Sequence, residues 1–219
     1  MRTRGRGRKA GRRLCGIGGQ AAPALPLPAA LLAYHRFAGD GSDASGGGHT
    51  LAMAGDSYGA GPIAGRSALI AGVGTEDTFL DIAPAAATLA AWVSTDGFGN
   101  GGGQVLADPS DVTGRFWLQL LSDGADVQVL TETGSAASPQ PTPNGWHHLA
   151  ATFDAAASPS LKLYVDGVIK ADDTPTDSVG WTQILQIVAG QSGGIAEAGI
   201  WGVVLTPAEV AAIATGAVY

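Results

Sequence analysis

A single cysteine, Cys15, stands in the 219 residues, so neither an intramolecular disulfide nor a cysteine-based zinc site can form. Charged residues supply only 14% and aromatics 6%, while glycine occurs 34 times. That glycine content excludes a long helical bundle, because glycine costs roughly 1 kcal/mol against alanine inside a helix. No apolar run approaches the ~20 residues of a membrane-spanning helix, since Pro23, Pro26 and Pro28 interrupt the one candidate. Paired carboxylates are missing too. The four glutamates are Glu76, Glu132, Glu197 and Glu209, and none is followed two residues later by another acid. A strand aiming two carboxylates into one groove, as a glucanase needs, is therefore not visible. A phosphate-binding loop ending in Gly-Lys-Ser/Thr is likewise absent.

The 45% of hydrophobic residues is ample for a buried core, and short strands joined by glycine turns use such a composition best. The chain divides into a basic, Gly/Pro-rich arm, 1–30, and a domain, 31–219. The arm holds seven of the twelve basic residues: Arg2, Arg4, Arg6, Arg8, Lys9, Arg12 and Arg13. All nineteen acidic residues lie beyond it against five basic ones, so the rest of the chain carries a formal −14. Such a body does not bind nucleic acid through its bulk, because the phosphate term is repulsive. The arm suits an acidic surface on a neighbouring protein, a nucleic acid or a membrane face, with a solvated tail as the alternative. Its Arg12-Arg13 pair, followed by Ala22-Pro23-Ala24, also resembles a twin-arginine export signal, although the stretch between lacks an aliphatic run.

Strand signals follow the arm. A first strand is expected over 31–37, then a polar loop over 39–48, and a short buried strand over 90–94. Phe116, Leu118 and Leu120 alternate with Trp117, Gln119 and Leu121, and Asp123-Gly124 turns the chain toward Val127-Gln128-Val129-Leu130, which reads as a hairpin. Residues 146–154 form another strand. The strongest hairpin signal is Asp166-Gly167 between Leu161–Val165 and Val168-Ile169, because Asp-Gly supplies the positive φ angles of a type I′ turn. Leu161, Leu163 and Val165 then share one face, with Lys162 and Tyr164 on the other. Only one helix is well signalled. Thr206 caps it, Pro207 opens it, Glu209 completes a capping box, Val210, Ile213 and Ala214 form its apolar face, and Gly216 ends it. One helix among many strands gives an all-β sandwich or jelly roll.

Six segments in this order resemble the laminin-G-like domains of the concanavalin A-like lectin/glucanase superfamily, of the stand-alone bacterial or phage type. They are Leu31-Leu32-Ala33-Tyr34-His35-Arg36-Phe37; the loop Asp43-Ala44-Ser45-Gly46-Gly47-Gly48; Ala90-Ala91-Trp92-Val93; 145–154; 161–167; and Ile195-Ala196-Glu197-Ala198-Gly199-Ile200-Trp201 with Leu205-Thr206-Pro207. The resemblance covers 31–219 and implies an all-β, two-sheet antiparallel jelly-roll sandwich of about a dozen strands. It also implies glycan or protein binding, sometimes with Ca²⁺, and usually no catalysis. Asp43 and Glu197 are the candidate calcium ligands, with Asp40 a neighbour in sequence. Ala196 replaces an acid common in the family, and the alternative for the pair is an Asx-type turn at Asp43 and a paired Glu197.

Trp117 and Trp181 are candidate sugar-stacking platforms, whereas Trp92, Trp146 and Trp201 are expected in the core. His147 and His148 point to opposite faces of one strand and cannot clasp one metal together. The resulting expectation is a non-enzyme. Its leading form is a bacteriophage virion surface component (capsid decoration, head-fibre or tail-associated) anchored to capsid or other virion proteins by its arm. That form displays a lectin-like head toward a host-surface glycan and self-associates, by analogy as a trimer. An exported, secreted or cell-surface bacterial carbohydrate-binding module is the alternative. The loops at 97–103 and 138–143 are the expected contact points.

Overall fold

The computed structural model describes residues 30–82, 85–94, 104–106, 116–120, 126–139, 141, 145–176, 181–189 and 194–216, and within these the side chains except at 75–82, 104–106, 117, 119–120 and 181–189. The arm, the 97–103 loop and the turn at 123–124 therefore lie outside the described residues.

The described residues form two antiparallel sheets. The larger holds β1 (Leu31–His35), β2 (Ala52–Ala60), β3 (Ser67–Ile82), β4 (Ala86–Ser94), β9 (Trp146–Asp154), β10 (Leu161–Val165), β11 (Val168–Asp173), β12 (Trp181–Ala189) and β13 (Ile195–Trp201). Its path runs β11-β10-β9-β4-β13-β3-β12, with β1 added on β13 and β2 on β3. The smaller sheet, in sequential order, holds β5 (Gln104–Leu106), β6 (Trp117–Leu120), β7 (Asp126–Leu130) and β8 (Ser135–Pro139). The expected all-β sandwich is the observed fold.

Strand alternation fills the space between the sheets. Leu89, Ala91 and Val93 of β4, Leu149, Ala151 and Phe153 of β9, and Leu161, Leu163 and Val165 of β10 meet Leu118, Val127, Val129 and Ala136 from the smaller sheet. Phe116 packs on Phe153 across the two layers with ring centres 6.3 Å apart. The hairpin signals hold. Asp166 and Gly167 take φ of +51° and +77°, and β6 pairs with β7 from Trp117↔Leu130 to Leu120↔Val127.

The one helix among the described residues, α1 (Pro207–Ala214), has the capping box legible in its sequence: Glu209 N–H donates to Thr206 Oγ1, and Thr206 N–H donates to Glu209 Oε2 at 2.7 Å. The helix covers the outer face of the large sheet. Tyr164 lies on that face as alternation requires, yet it is buried with Ala90, Ala150 and Trp201 beneath Leu205, Val210 and Ile213. Trp201 is core as expected, but Trp92 and Trp146 are only half-buried, because α1 covers one end of that face and leaves theirs at its margin.

Candidate functional site

Strand β13 carries the feature that builds a site. Along one edge it pairs with β4, and its other edge is shared, with Ile195 opposite Leu69 of β3 and Ala198 to Trp201 opposite β1. Glu197 falls at the changeover. Between Ala196↔Trp92 and Gly199↔Ala90 the strand holds one residue more than β4 does, a β-bulge, and Glu197 sits there with φ of +52°. The extra residue explains the burial pattern: Ile195, Ala198 and Ile200 all face the core, which unbroken alternation forbids.

The end of β1 and the start of β3 both run out against this bulge, and the gap between them is a cavity of about 320 Å³. Arg36 and Ala38 line it from beyond β1, Gly65, Arg66 and Ser67 from the entry to β3, and Glu197 from β13. Such a volume lies at the low end of small-ligand sites, which run roughly 300–1,000 Å³. Arg66 Nη1 sits 2.8 Å from Glu197 Oε2 and 3.4 Å from Tyr34 Oη. Tyr34 Oη also donates to Glu197 Oε2. The other oxygen, Oε1, is buried with no hydrogen-bond partner among the described residues. The Arg36 guanidinium lies 5.4 Å from the centre of the Tyr34 ring, a cation–π contact that holds it over the cavity wall.

Burial pushes the Glu197 carboxyl up to about 7, against the pull of the adjacent Arg66 cation. Arg66 is itself lowered, first by burial and then by the charge of Arg36. The two guanidinium groups are thus within electrostatic reach of each other.

Asp43 and Glu197, expected as calcium ligands, are not brought together: they meet opposite ends of Tyr34. Asp43 Oδ1 accepts from Tyr34 N–H at 3.0 Å and Ser45 N–H at 2.8 Å; Oδ2 accepts from Ser45 Oγ at 2.8 Å and His49 N–H at 3.0 Å. Four donors saturate a carboxylate. Asp43 therefore makes an Asx turn that pins the 39–48 loop to β1, and burial of its carboxyl is outweighed by the Ser45 and His49 hydrogen bonds, which hold it below its ordinary value. Asp40 accepts from Ser42 N–H in the same loop. Calcium prefers six to eight oxygens, and these residues do not fit it. Among the described residues no three His, Cys, Asp or Glu side chains gather as a metal site.

Trp117 begins β6 and Trp181 begins β12, but their side chains lie outside the described residues, as do all seven basic residues of the arm. The histidine pair splits as expected. His148 is fully buried, with its ring edge-on to Trp92 at 5.6 Å, whereas His147 Nδ1 meets Asp166 Oδ2 at 2.9 Å. His147, Asp166 and Lys170 line a second cavity of about 480 Å³ with Val168 and Pro139. Asp166 is half-exposed and already accepts from His148 N–H, so among the described residues no buried, unpartnered group lines that space.

Sequence reasoning missed that Gly55-Asp56-Ser57-Tyr58-Gly59 spells the nucleophile-elbow pattern Gly-x-Ser-x-Gly, which recurs at 190–194. The first lies inside β2, where Ser57 is exposed in an irregular strand pair with β3, and the second connects β12 to β13. An elbow needs a strand-to-helix turn, which the first segment, inside β2, does not have; residues 190–193 lie outside the described residues. Arg36 and Arg66 were also missed, since nothing in their local sequence marks them.

A family model described as the concanavalin A-like lectin/glucanases superfamily, Laminin_G_3, matches residues 71–211. The chain belongs to this superfamily. No curated protein matches it in sequence. Among solved structures, domain 4 of AbnA, a GH43 extracellular arabinanase from Geobacillus stearothermophilus, in complex with arabinotriose, superposes with a TM-score of 0.65 at 19% identity, covering 84% of this chain and 98% of that one. The botulinum neurotoxin serotype D binding domain gives 0.66 at 12%, over 85% of this chain and 52% of that one. The serotype D ligand binding domain in complex with N-acetylneuraminic acid gives 0.62 at 13%, over 85% and 51%. This superfamily member spans about half the length of the toxin domains it matches. At these identities the likeness is one of fold, and that fold is lectin-like.

Proposed function

We propose that this chain is a non-catalytic carbohydrate-recognition protein that seats a sugar ring in the cavity between β1, β3 and β13. The observation that carries the reading is the buried Glu197 carboxylate, paired with the Arg66 guanidinium, at a cavity of about 320 Å³. Sugars are bound by planar polar groups that exchange several hydrogen bonds with hydroxyls, and a carboxylate paired with Arg66, with Arg36 in the same lining, is such a set. Hydrolysis needs a second carboxylate about 5–9.5 Å from the first, and Glu197 is the one acid among the described residues of the lining. The sugar-bound arabinanase domain and sialate-bound toxin domain support the class of ligand by fold analogy. On a glycan array the full chain should retain at least one oligosaccharide and release no reducing ends from it. Robust hydrolysis abolished by Glu197→Gln overturns the reading.

A second reading concerns placement, and rests on the charge split between arm and body. In it the arm docks this domain on an acidic protein surface, such as a bacteriophage shell, where a trimer displays the lectin-like head; export as a bacterial surface module is the rival. Deleting residues 1–30 should abolish particle attachment while the circular dichroism of the sandwich is unchanged. Attachment that survives the deletion contradicts it.

A further inference from the structure

Trp92 and Trp146 play no part in the cavity, yet both are only half-buried. Ala91 and Val93 of β4, like Leu149 and Ala151 of β9, face the core, so alternation puts both indoles on the outer face of the large sheet. Trp92 stands opposite His148 and Ser94 opposite Trp146, which makes the two tryptophans diagonal neighbours about 7–8 Å apart. Trp146 lies along the sheet. A methyl group built on Gly194 would stand 2.7 Å from Trp146 Cη2 and 3.1 Å from its Cζ2. The Gly194 carbonyl accepts from Ser94 N–H at 2.8 Å, so Gly194 is one strand beyond β4 and two spacings, about 10 Å, from β9. An indole standing up from β9 would not reach it. The ring therefore crosses β4 with one face on backbone that only glycine leaves bare, and its other face is turned outward. Ile70 Cδ1, 3.3 Å from the same methyl position, extends this surface and is 38% exposed.

The indole surface adjoins the cavity. Trp92 is opposite Ala196 on β13, and the next residue along that strand is Glu197 of the cavity lining. Two half-buried indoles and one isoleucine expose far less than the roughly 800 Å² per partner of a stable protein interface, so the area suits a small ligand and not a second chain. A sugar ring has apolar C–H faces and a rim of hydroxyls. It rests a face on an indole and turns its rim to polar groups, and here the two kinds of surface are neighbours. We infer that the bound carbohydrate is a linear oligosaccharide of at least three rings, one at the cavity and the next two over Trp92 and Trp146, with Trp146 setting the preference for chain length. The inference rests on the carbohydrate reading above and deepens it.

The test is calorimetric titration of the full chain with cello-, xylo-, malto- and manno-oligosaccharides of two, three and four rings. In at least one series the third ring should tighten binding about tenfold, the scale of covering about 50 Å² of one indole face, and the fourth should add little. Trp146→Ala should reduce that gain to about threefold or less. Gly194→Ala should do the same with the indole retained, because the new methyl group lifts the ring from the sheet. Circular dichroism checks the fold of both variants, and the glycine variant carries the test alone if the tryptophan variant does not fold. Equal affinity for two and three rings in every series that binds overturns the inference and leaves the cavity reading standing. A gain that survives both substitutions overturns the assignment to Trp146. Absence of binding in all four series overturns both readings.

Discussion

His148 and Glu197 are buried ionisable side chains that act on folding in opposite pH windows. Burial pushes His148 down to about 4, so it is neutral in the folded protein at pH 7. Between its unfolded value near 6.5 and 4, the unfolded chain binds more protons, and stability falls as the pH drops, by about 3 kcal/mol in all. Glu197 has the reverse sign. Its carboxyl is raised to about 7 from 4.5, so in that range the folded state binds more protons and stability rises on acidification. The two shifts are of similar size, so the two contributions largely offset each other. Urea denaturation at pH 7.5 and pH 5 should show little net change for the native chain, a gain on acidification for His148→Leu and a loss for Glu197→Gln. Identical pH slopes for all three contradict the assignments. Removing the Tyr34 hydroxyl takes a donor from a buried carboxylate, so Tyr34→Phe should cost about 1–3 kcal/mol at pH 7.5 and less at pH 5, read from the same denaturation curves.

At the level of elements, local signals were legible and long-range ones were not. The Thr206–Glu209 box and the Asp166-Gly167 turn act through neighbours three residues apart or fewer, and the structure has both. Thr206→Ala should therefore lower stability by about 1 kcal/mol in thermal or urea denaturation, with exposure of Tyr164 fluorescence as α1 loosens. The bulge at Glu197 was not legible, because it arises where β1 and β3 meet along one edge of β13, and sequence alone does not reveal that shared edge. The same is true of Gly199, where an added Cβ would strike the Trp201 ring. Gly199→Ala is expected to destabilise the domain more than Thr206→Ala does, since backbone of a central strand or a buried indole must move. A smaller effect, measured in the same experiment, contradicts the packing described for that ring.

Across the whole molecule, the two-sheet sandwich was readable from six ordered segments and the superfamily they resemble. Alternating strands and glycine turns repeat along the chain and reinforce one another. The cavity was not readable. Arg66 and Glu197 are 131 positions apart, and Arg36 lies in neither one's sequence neighbourhood. Of the residues picked out beforehand, Glu197 lines the cavity, where it is the ion-pair partner of Arg66. Asp43 holds the neighbouring loop in place. The central claim is that this lectin-like domain binds its ligand at the bulge between β1, β3 and β13. The most direct measurement is a crystal structure of the full chain soaked with an oligosaccharide that it retains on the glycan array. Sugar density against Arg36, Arg66 and Glu197 is the predicted result. Density seated instead at Trp117 or Trp181, with the arginine cavity empty, contradicts the account.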